Sequence, residues 1–195
     1  LASWQIFVVI PALNEEGSIA KVLEELPRVN KAEVIPIVVD NGSTDGTLKI
    51  IEKIACVSLY EPIKGYGRAC QKGLAYARSK VCAKAKSIAV VLDGDYSDYP
   101  EDLTSIVKPI MSGDYDFVLG SRTMGRAEHG SLGFVQKWGN ELATKLIKWR
   151  YGYRYTDMGP FRALHWPALE LMELEDLNFG WNVEMQVKAL KLKLR

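Results

Sequence analysis

Apolar runs alternate with polar loops carrying glycine or proline along most of this chain. Ile6-Phe7-Val8-Val9-Ile10 runs into Pro11-Ala12-Leu13-Asn14-Glu15-Glu16, and Val34-Ile35-Pro36-Ile37-Val38-Val39-Asp40 runs into Asn41-Gly42-Ser43-Thr44-Asp45-Gly46-Thr47. Short, unbroken Val/Ile/Leu runs bounded by turn residues predict strands buried on both faces. Behind each loop the period changes. Ile19, Val22, Leu23 and Leu26 recur at helical spacing after Asn14, the expected N-cap, and Leu48, Ile51 and Ile54 do so after Ser43 or Thr44. A third unit leads from Val57–Tyr60 through Lys64-Gly65-Tyr66-Gly67 into a helix over 69–80. A fourth ends Val90-Val91-Leu92 in Asp93-Gly94-Asp95, after which Asp98, Pro100 and Glu101 form a capping-box-like helix start. This alternation predicts an α/β fold: a wound, mostly parallel sheet flanked by helices, its polar loops gathered at one end.

Composition narrows the class. The chain has 195 residues, 48% of them hydrophobic, which suits one domain with a sizeable core. A net charge of +1 removes strong bulk steering towards nucleic acid. Cys56, Cys70 and Cys82 lack CxxC or zinc spacing and are expected to be free thiols in a reducing compartment. No apolar run approaches the ~20 residues that span a bilayer. Val183–Arg195 reads as a helix without a C-cap, so residues 1–195 are expected to be a single domain cut short at its C-terminus.

The chemistry concentrates at Asp93 and Asp95. Alternate strand positions point the same way, so both carboxylates are expected to project beyond the carboxyl end of a strand, where α/β proteins bind ligands. Two hard oxygen ligands beside an open position suit Mg²⁺ or Mn²⁺ shared with substrate phosphates. A plain Asp/Gly surface turn is the competing reading. Gly65-Tyr66-Gly67-Arg68-Ala69-Cys70 narrowly misses the dinucleotide fingerprint GxGxxG and does not follow the first strand, so these glycines serve a loop that approaches a ligand or a structural turn.

The strings VVIPALNEE, IVVDNGSTDGT, KGYGRACQKGLAYA, VVLDGDYSDYPEDL and LGSR, in that order, resemble family-2 glycosyltransferases. TDMGPFRAL resembles the acceptor-side motif of their polyprenyl-phosphate-sugar synthase branch, such as dolichyl-phosphate mannose synthases. The resemblance implies a GT-A fold, a nucleotide-sugar donor, a divalent cation and inversion at the anomeric carbon. It implies that Pro11, Ala12, Asn14 and Glu15 border the nucleotide, that Asp40 holds the base edge, and that Asp93, Gly94 and Asp95 meet ribose, metal and diphosphate. Lys64 is expected near base or phosphate. A carboxylate suits uracil or guanine, each of which presents an N–H. For Glu15 a first-turn carboxylate favoured by the helix dipole is the alternative. Asp45 and Asp98 are read as structural, and Tyr96 and Tyr99 as packing.

Arg122 in Gly120-Ser121-Arg122 is the expected ligand of an acceptor phosphate, with Arg126 and Arg162 as further candidates, because a guanidinium fork matches phosphate. Asp157 matches the family's acceptor-side aspartate; it orients an arginine or takes a proton. In Leu132–Arg150, Val135, Trp138, Leu142, Leu146 and Trp149 fall on one helical side with Lys137, Lys145 and Lys148 off it, the pattern of a membrane-interface helix or of a core-packing one. The expectation is an inverting glycosyltransferase moving a hexose from a UDP- or GDP-sugar to a lipid phosphate, peripheral on the cytoplasmic membrane face. The alternatives are transfer to a sugar hydroxyl on a glycan and a non-catalytic nucleotide-sugar-binding module. The absence of a QxxRW string disfavours processive synthesis.

Overall fold

A computed structural model describes residues 4–82, 86–121, 144–156 and 159–195. In chain order the elements are β1 (Trp4–Ala12), α1 (Ile19–Glu24), β2 (Ala32–Asp40), α2 (Thr47–Ile51), β3 (Val57–Tyr60), α3 (Tyr66–Lys80), β4 (Lys86–Val91), α4 (Leu103–Met111), β5 (Phe117–Leu119), α5 (residues 144–151), β6 (Arg162–His165), α6 (Trp166–Met172) and α7 (Trp181–Lys191). The six strands form one sheet in the order β3-β2-β1-β4-β6-β5. β1 runs parallel to β2 and β4, and β2 to β3, whereas β6 is antiparallel to both β4 and β5.

Both faces of the sheet are covered, which explains the unbroken apolar runs. On β1, Ile6, Val8 and Ile10 pack with Ile19, Val22, Ile51, Leu103 and Ile106 of α1, α2 and α4. The alternate residues Phe7 and Val9 pack with Ala69, Leu74, Leu169 and Trp181 of α3, α6 and α7. The period-two alternation sorts neighbouring residues into two separate cores. Gly73 lets α3 lie close on the sheet, since a Cβ there would stand 2.5 Å from Val9 Cγ1 and 3.2 Å from Val39 Cγ2. Gly73→Ala is therefore expected to destabilise the fold by about 1–3 kcal/mol despite its better helix propensity. Urea unfolding checks this, and an unchanged or raised midpoint would refute the close packing.

Several expected local features differ. Asn14 does not cap α1: it takes a left-handed φ of 59°, and its side-chain oxygen accepts from Thr44 N at 2.8 Å. The α1 cap position falls to Ser18. Neither Ser43 nor Thr44 caps α2, whose cap position is Gly46; Asp45 Oδ1 accepts from Thr47 N at 3.0 Å. No Asp98–Glu101 capping box forms, because a 3-10 turn at Pro100–Asp102 starts from Tyr99 without a side-chain cap. α3 begins at Tyr66, three residues earlier than expected. α7 stops at Lys191, and Lys193 turns left-handed with φ 54°, so the helix does not run to Arg195.

Candidate functional site

The chain winds from β1 outward through β2 and β3, then returns to place β4 on the other side of β1. That reversal opens a crevice at the carboxyl ends of β1 and β4, the usual ligand position in wound sheets. Into it lead the loops after Ala12, Asp40 and Val91.

These loops are laced together. Asn14 N donates to Ser43 Oγ at 2.9 Å, Glu15 N to Thr47 Oγ1 at 2.7 Å, and Gly46 N to Glu16 Oε2 at 2.7 Å. Asn41 N donates to Ala12 O at 2.8 Å. Ser18 Oγ lies 2.8 Å from Gly94 O and 3.0 Å from Glu15 Oε2, joining α1 to the loop after β4. Gly94 sits against β1, where a Cβ would stand 3.3 Å from Pro11 O. Pro11, Ala12, Asn14, Glu15 and Gly94 thus share one wall. Lys64 is exposed on the 61–65 loop; Asn41 holds that loop, donating to Glu61 O at 3.0 Å and Ile63 O at 2.8 Å.

Asp40 closes the floor at 1% exposure. Its Oδ1 accepts from Ser43 N at 3.2 Å. Its Oδ2 is buried and has no hydrogen-bond partner among the described residues. An orphaned carboxylate oxygen at a ligand crevice is costly, and an N–H arriving there recovers that cost.

At the other side, Asp93 is half-buried and accepts from Tyr66 Oη at 2.9 Å. Burial and then the charge of Asp95 push its carboxyl up to about 7, with Asp98 adding to them against Tyr66 and Arg162. Burial, helped by Asp95 and Asp45, also raises the Glu15 carboxyl. Asp95 is exposed, and its Oδ1 accepts from Ser97 N at 2.9 Å. The charge of Asp95 disfavours ionisation of Asp93, and a cation at the pair would relieve that repulsion. Among the described residues no three His, Cys, Asp or Glu side chains form a metal cage. Two carboxylates with open positions therefore fit an ion that completes its shell with water and phosphate oxygens, as Mg²⁺ does.

Arg162 departs from its expected part as a phosphate ligand. It is 0% exposed, and its guanidinium donates to Pro160 O at 3.1 Å, Asn182 O at 3.2 Å and Gly159 O. A fork held by carbonyls and wholly buried presents no surface to an acceptor, though its charge still lowers the Asp93 carboxyl. Arg122, Arg126 and Asp157 lie outside the described residues, as do Val135, Trp138 and Leu142. Tyr96 turns to α1, where its hydroxyl bonds Glu25 and Lys21 Nζ stands 3.9 Å over its ring. The GYG glycines face a protein segment: a Cβ at Gly67 would collide with the Asp176 carbonyl. Sequence reasoning missed Ser18, Asn41 and Tyr66; only the register of Tyr66 just behind Gly65 hinted at it. A hollow of about 330 Å³ between α3 and α6–α7, lined by Gln71, Leu74, Leu169 and Trp181, is separate from this crevice. Its Glu170 is already bonded to Arg78 at 2.7 Å.

Comparison with known proteins agrees with this arrangement. Residues 7–169 match Glycosyl transferase family 2. An uncharacterized protein of Methanocaldococcus jannaschii is 33% identical over 156 residues, 78% of this chain and 61% of its own length. An uncharacterized glycosyltransferase of Mycobacterium tuberculosis is 31% identical over 193 residues, 97% of this chain and 80% of its own. A UDP-N-acetylglucosamine–dolichyl-phosphate N-acetylglucosaminyltransferase of Methanococcus voltae is 29% identical over 88% of this chain and 74% of its own. Glucosyl-3-phosphoglycerate synthase of M. tuberculosis, crystallised with Mn²⁺, UDP-glucose and phosphoglyceric acid, superposes with a TM-score of 0.70 at 20% identity, covering 98% of this chain and 66% of that one. This chain thus spans about three fifths of the Methanocaldococcus relative and two thirds of the synthase. The sheet order with its one reversed strand is the GT-A fold. With loops at β1, β2 and β4 converging as that fold requires, the chain belongs to glycosyl transferase family 2.

Proposed function

We propose that this chain is the donor-binding and transfer domain of an inverting glycosyltransferase that moves a hexose from a nucleotide-sugar to a polyprenyl phosphate at a membrane surface. The observation that carries the donor half is the unpartnered Asp40 Oδ2 at the end of β2, on the same edge of the sheet as the Asp93-Gly94-Asp95 loop after β4, with β1 between them. Asp40 accepts the N–H of the base, and the walls from Pro11 to Glu15 and at Gly94 border the nucleoside. UDP is the favoured carrier, since the mycobacterial synthase was crystallised with UDP-glucose and the Methanococcus relative is named for a UDP-sugar. Asp95, with Asp93, would hold Mg²⁺ or Mn²⁺ against the donor diphosphate. When bound, the cation neutralises charge growing on the departing nucleoside diphosphate. Tyr66 fixes the Asp93 rotamer by its hydrogen bond.

The acceptor half rests on α5 and the residues just after it. Leu146, Trp149 and Tyr153 are exposed, Trp149 at 83%, and Lys145, Lys148, Arg150 and Arg154 surround them with no acidic residue between 144 and 156. An exposed tryptophan ringed by cations suits anionic headgroups. No helix among the described residues is long and apolar enough to cross a membrane. A phosphate acceptor is already anionic and needs positioning more than deprotonation, which Arg122 and Arg126 supply in this reading. Arg122→Ala is expected to cut transfer to polyprenyl phosphate at least about 100-fold while leaving UDP binding intact, with Arg122→Lys recovering only part. The assay offers polyprenyl phosphate beside free oligosaccharides. Product on the oligosaccharides alone, with Arg122→Ala fully active, would establish the hydroxyl-acceptor reading and make Asp157 its base.

A further inference from the structure

The first turn of α3 joins both halves of the donor crevice. Tyr66 reaches Asp93 at 2.9 Å, and Gly65 N donates to Asn41 Oδ1, beside Asp40, at 2.8 Å. The N–H groups of Gly67 and Arg68 turn to another segment. Gly67 N donates to Asn178 O at 3.2 Å and Arg68 N to Leu177 O at 3.0 Å, and Gln71 Nε2 donates to Leu174 O at 3.2 Å. The turn is therefore seated on the 174–178 segment, a stretch with no regular structure of its own. That segment is held from behind by Glu184 of α7, whose carboxylate accepts from Glu175 N at 2.9 Å and Asp176 N at 2.8 Å. Lys188 pairs with the same carboxylate at 2.8 Å. Charge-assisted bonds to two successive N–H groups are strong and directional, and a loop tied this way is held in one conformation. Burial pushes the Glu184 carboxyl up, but Lys188 and the two N–H groups outweigh it and hold it below its ordinary range.

We propose that Glu184 is a positioning residue for the donor site: it fixes the 174–178 segment, which seats the first turn of α3 and so aims Tyr66 at Asp93. This rests on the assignment of Asp93 to the donor diphosphate and its cation. Glu184→Gln sets an amide N–H₂ against the backbone donors while conserving shape. Gly67→Ala pushes the same junction apart from the opposite side, so the test does not hang on one variant folding. Arg78→Met, at the far end of α3, is the control.

Two readouts are taken on each variant: hydrogen exchange of individual amides, and the affinity for UDP with and without Mn²⁺. In Glu184→Gln and Gly67→Ala, protection at residues 67, 68, 175 and 176 is expected to fall together by tenfold or more, with β1 amides still protected. The Mn²⁺-dependent affinity for UDP is expected to fall about tenfold, which is 1.4 kcal/mol. Because Glu184 acts through Tyr66, adding Glu184→Gln to Tyr66→Phe should weaken UDP binding little further. Loss of protection at 175 and 176 with residues 67 and 68 unmoved, or fully additive effects in the double variant, would overturn the proposal. If the wild-type protein fails to bind UDP with metal, the donor assignment falls, and exchange at 67 and 68 still decides the positioning role.

Discussion

Asp93→Asn is expected to make the metal-free protein more stable at pH 8 and to abolish its metal-dependent binding of UDP. The carboxyl of Asp93 stands at about 7, raised by burial and by Asp95 from an ordinary 3.8. The native state therefore holds this proton longer than the unfolded chain does. The stability that the protonated form confers is complete below the unfolded value near 4 and is lost as pH rises towards 7. Discounted for the partial exposure of the site, the penalty above pH 7 is about 1–3 kcal/mol. Asparagine carries no such penalty and still accepts from Tyr66 Oη. Denaturant unfolding at pH 4 should find the two proteins alike, and at pH 8 the variant ahead. Mn²⁺ with UDP should reverse that order, since ligand binding stabilises only the protein that binds it. Asp95→Asn, at an exposed carboxylate, should lose metal dependence with little change in metal-free stability. Metal-dependent affinity surviving in both variants would remove the pair from the site.

Asp40→Asn is expected to exchange preference between two pyrimidine nucleotides. The free Oδ2 of Asp40 offers an acceptor, matched to the N3–H of uracil and mismatched to the bare N3 of cytosine. With Oδ1 still held by Ser43 N, an asparagine places its amide N–H₂ where Oδ2 stood. Donor then meets donor with uracil and meets acceptor with cytosine. The wild-type protein should favour UDP over CDP by at least about tenfold, and the variant should lose or invert that ratio. Asp40→Ala should weaken UDP by about 1–3 kcal/mol, the scale of a charge-assisted hydrogen bond, with metal dependence intact. Calorimetry with both diphosphates in all three proteins measures this. Equal UDP affinity throughout would place the base elsewhere.

The places of Asp40 and Asp93 at strand ends were legible in the sequence because each ends an apolar run, and strand ends in wound sheets face the ligand crevice. Asn14 and Thr44 were misplaced as helix caps for a related reason. Local propensity favours Asn and Thr at a cap, yet each has its better partner on the neighbouring loop: Asn14 N donates to Ser43 Oγ, and Thr44 N to Asn14 Oδ1. A hydrogen bond between residues thirty apart leaves no mark in either local pattern. Arg162 carried the same ambiguity, because a fork that fits phosphate fits backbone carbonyls equally well.

The sequence by itself determined the layer architecture, the mostly parallel winding, the gathering of three polar loops at the strands' carboxyl ends and the family. Those features follow from period, turn residues and the order of short strings, all readable within a few residues. Only the tertiary structure decided what occupies each carboxylate and arginine. It left Asp40 Oδ2 unpartnered and bonded Tyr66 to Asp93. It buried Arg162 among carbonyls, and it seated α3 on a segment more than a hundred residues away that Glu184 secures. Partners of that kind are set by which elements the fold brings together, and a hydrogen bond's worth depends on whether water or protein fills the remaining valence.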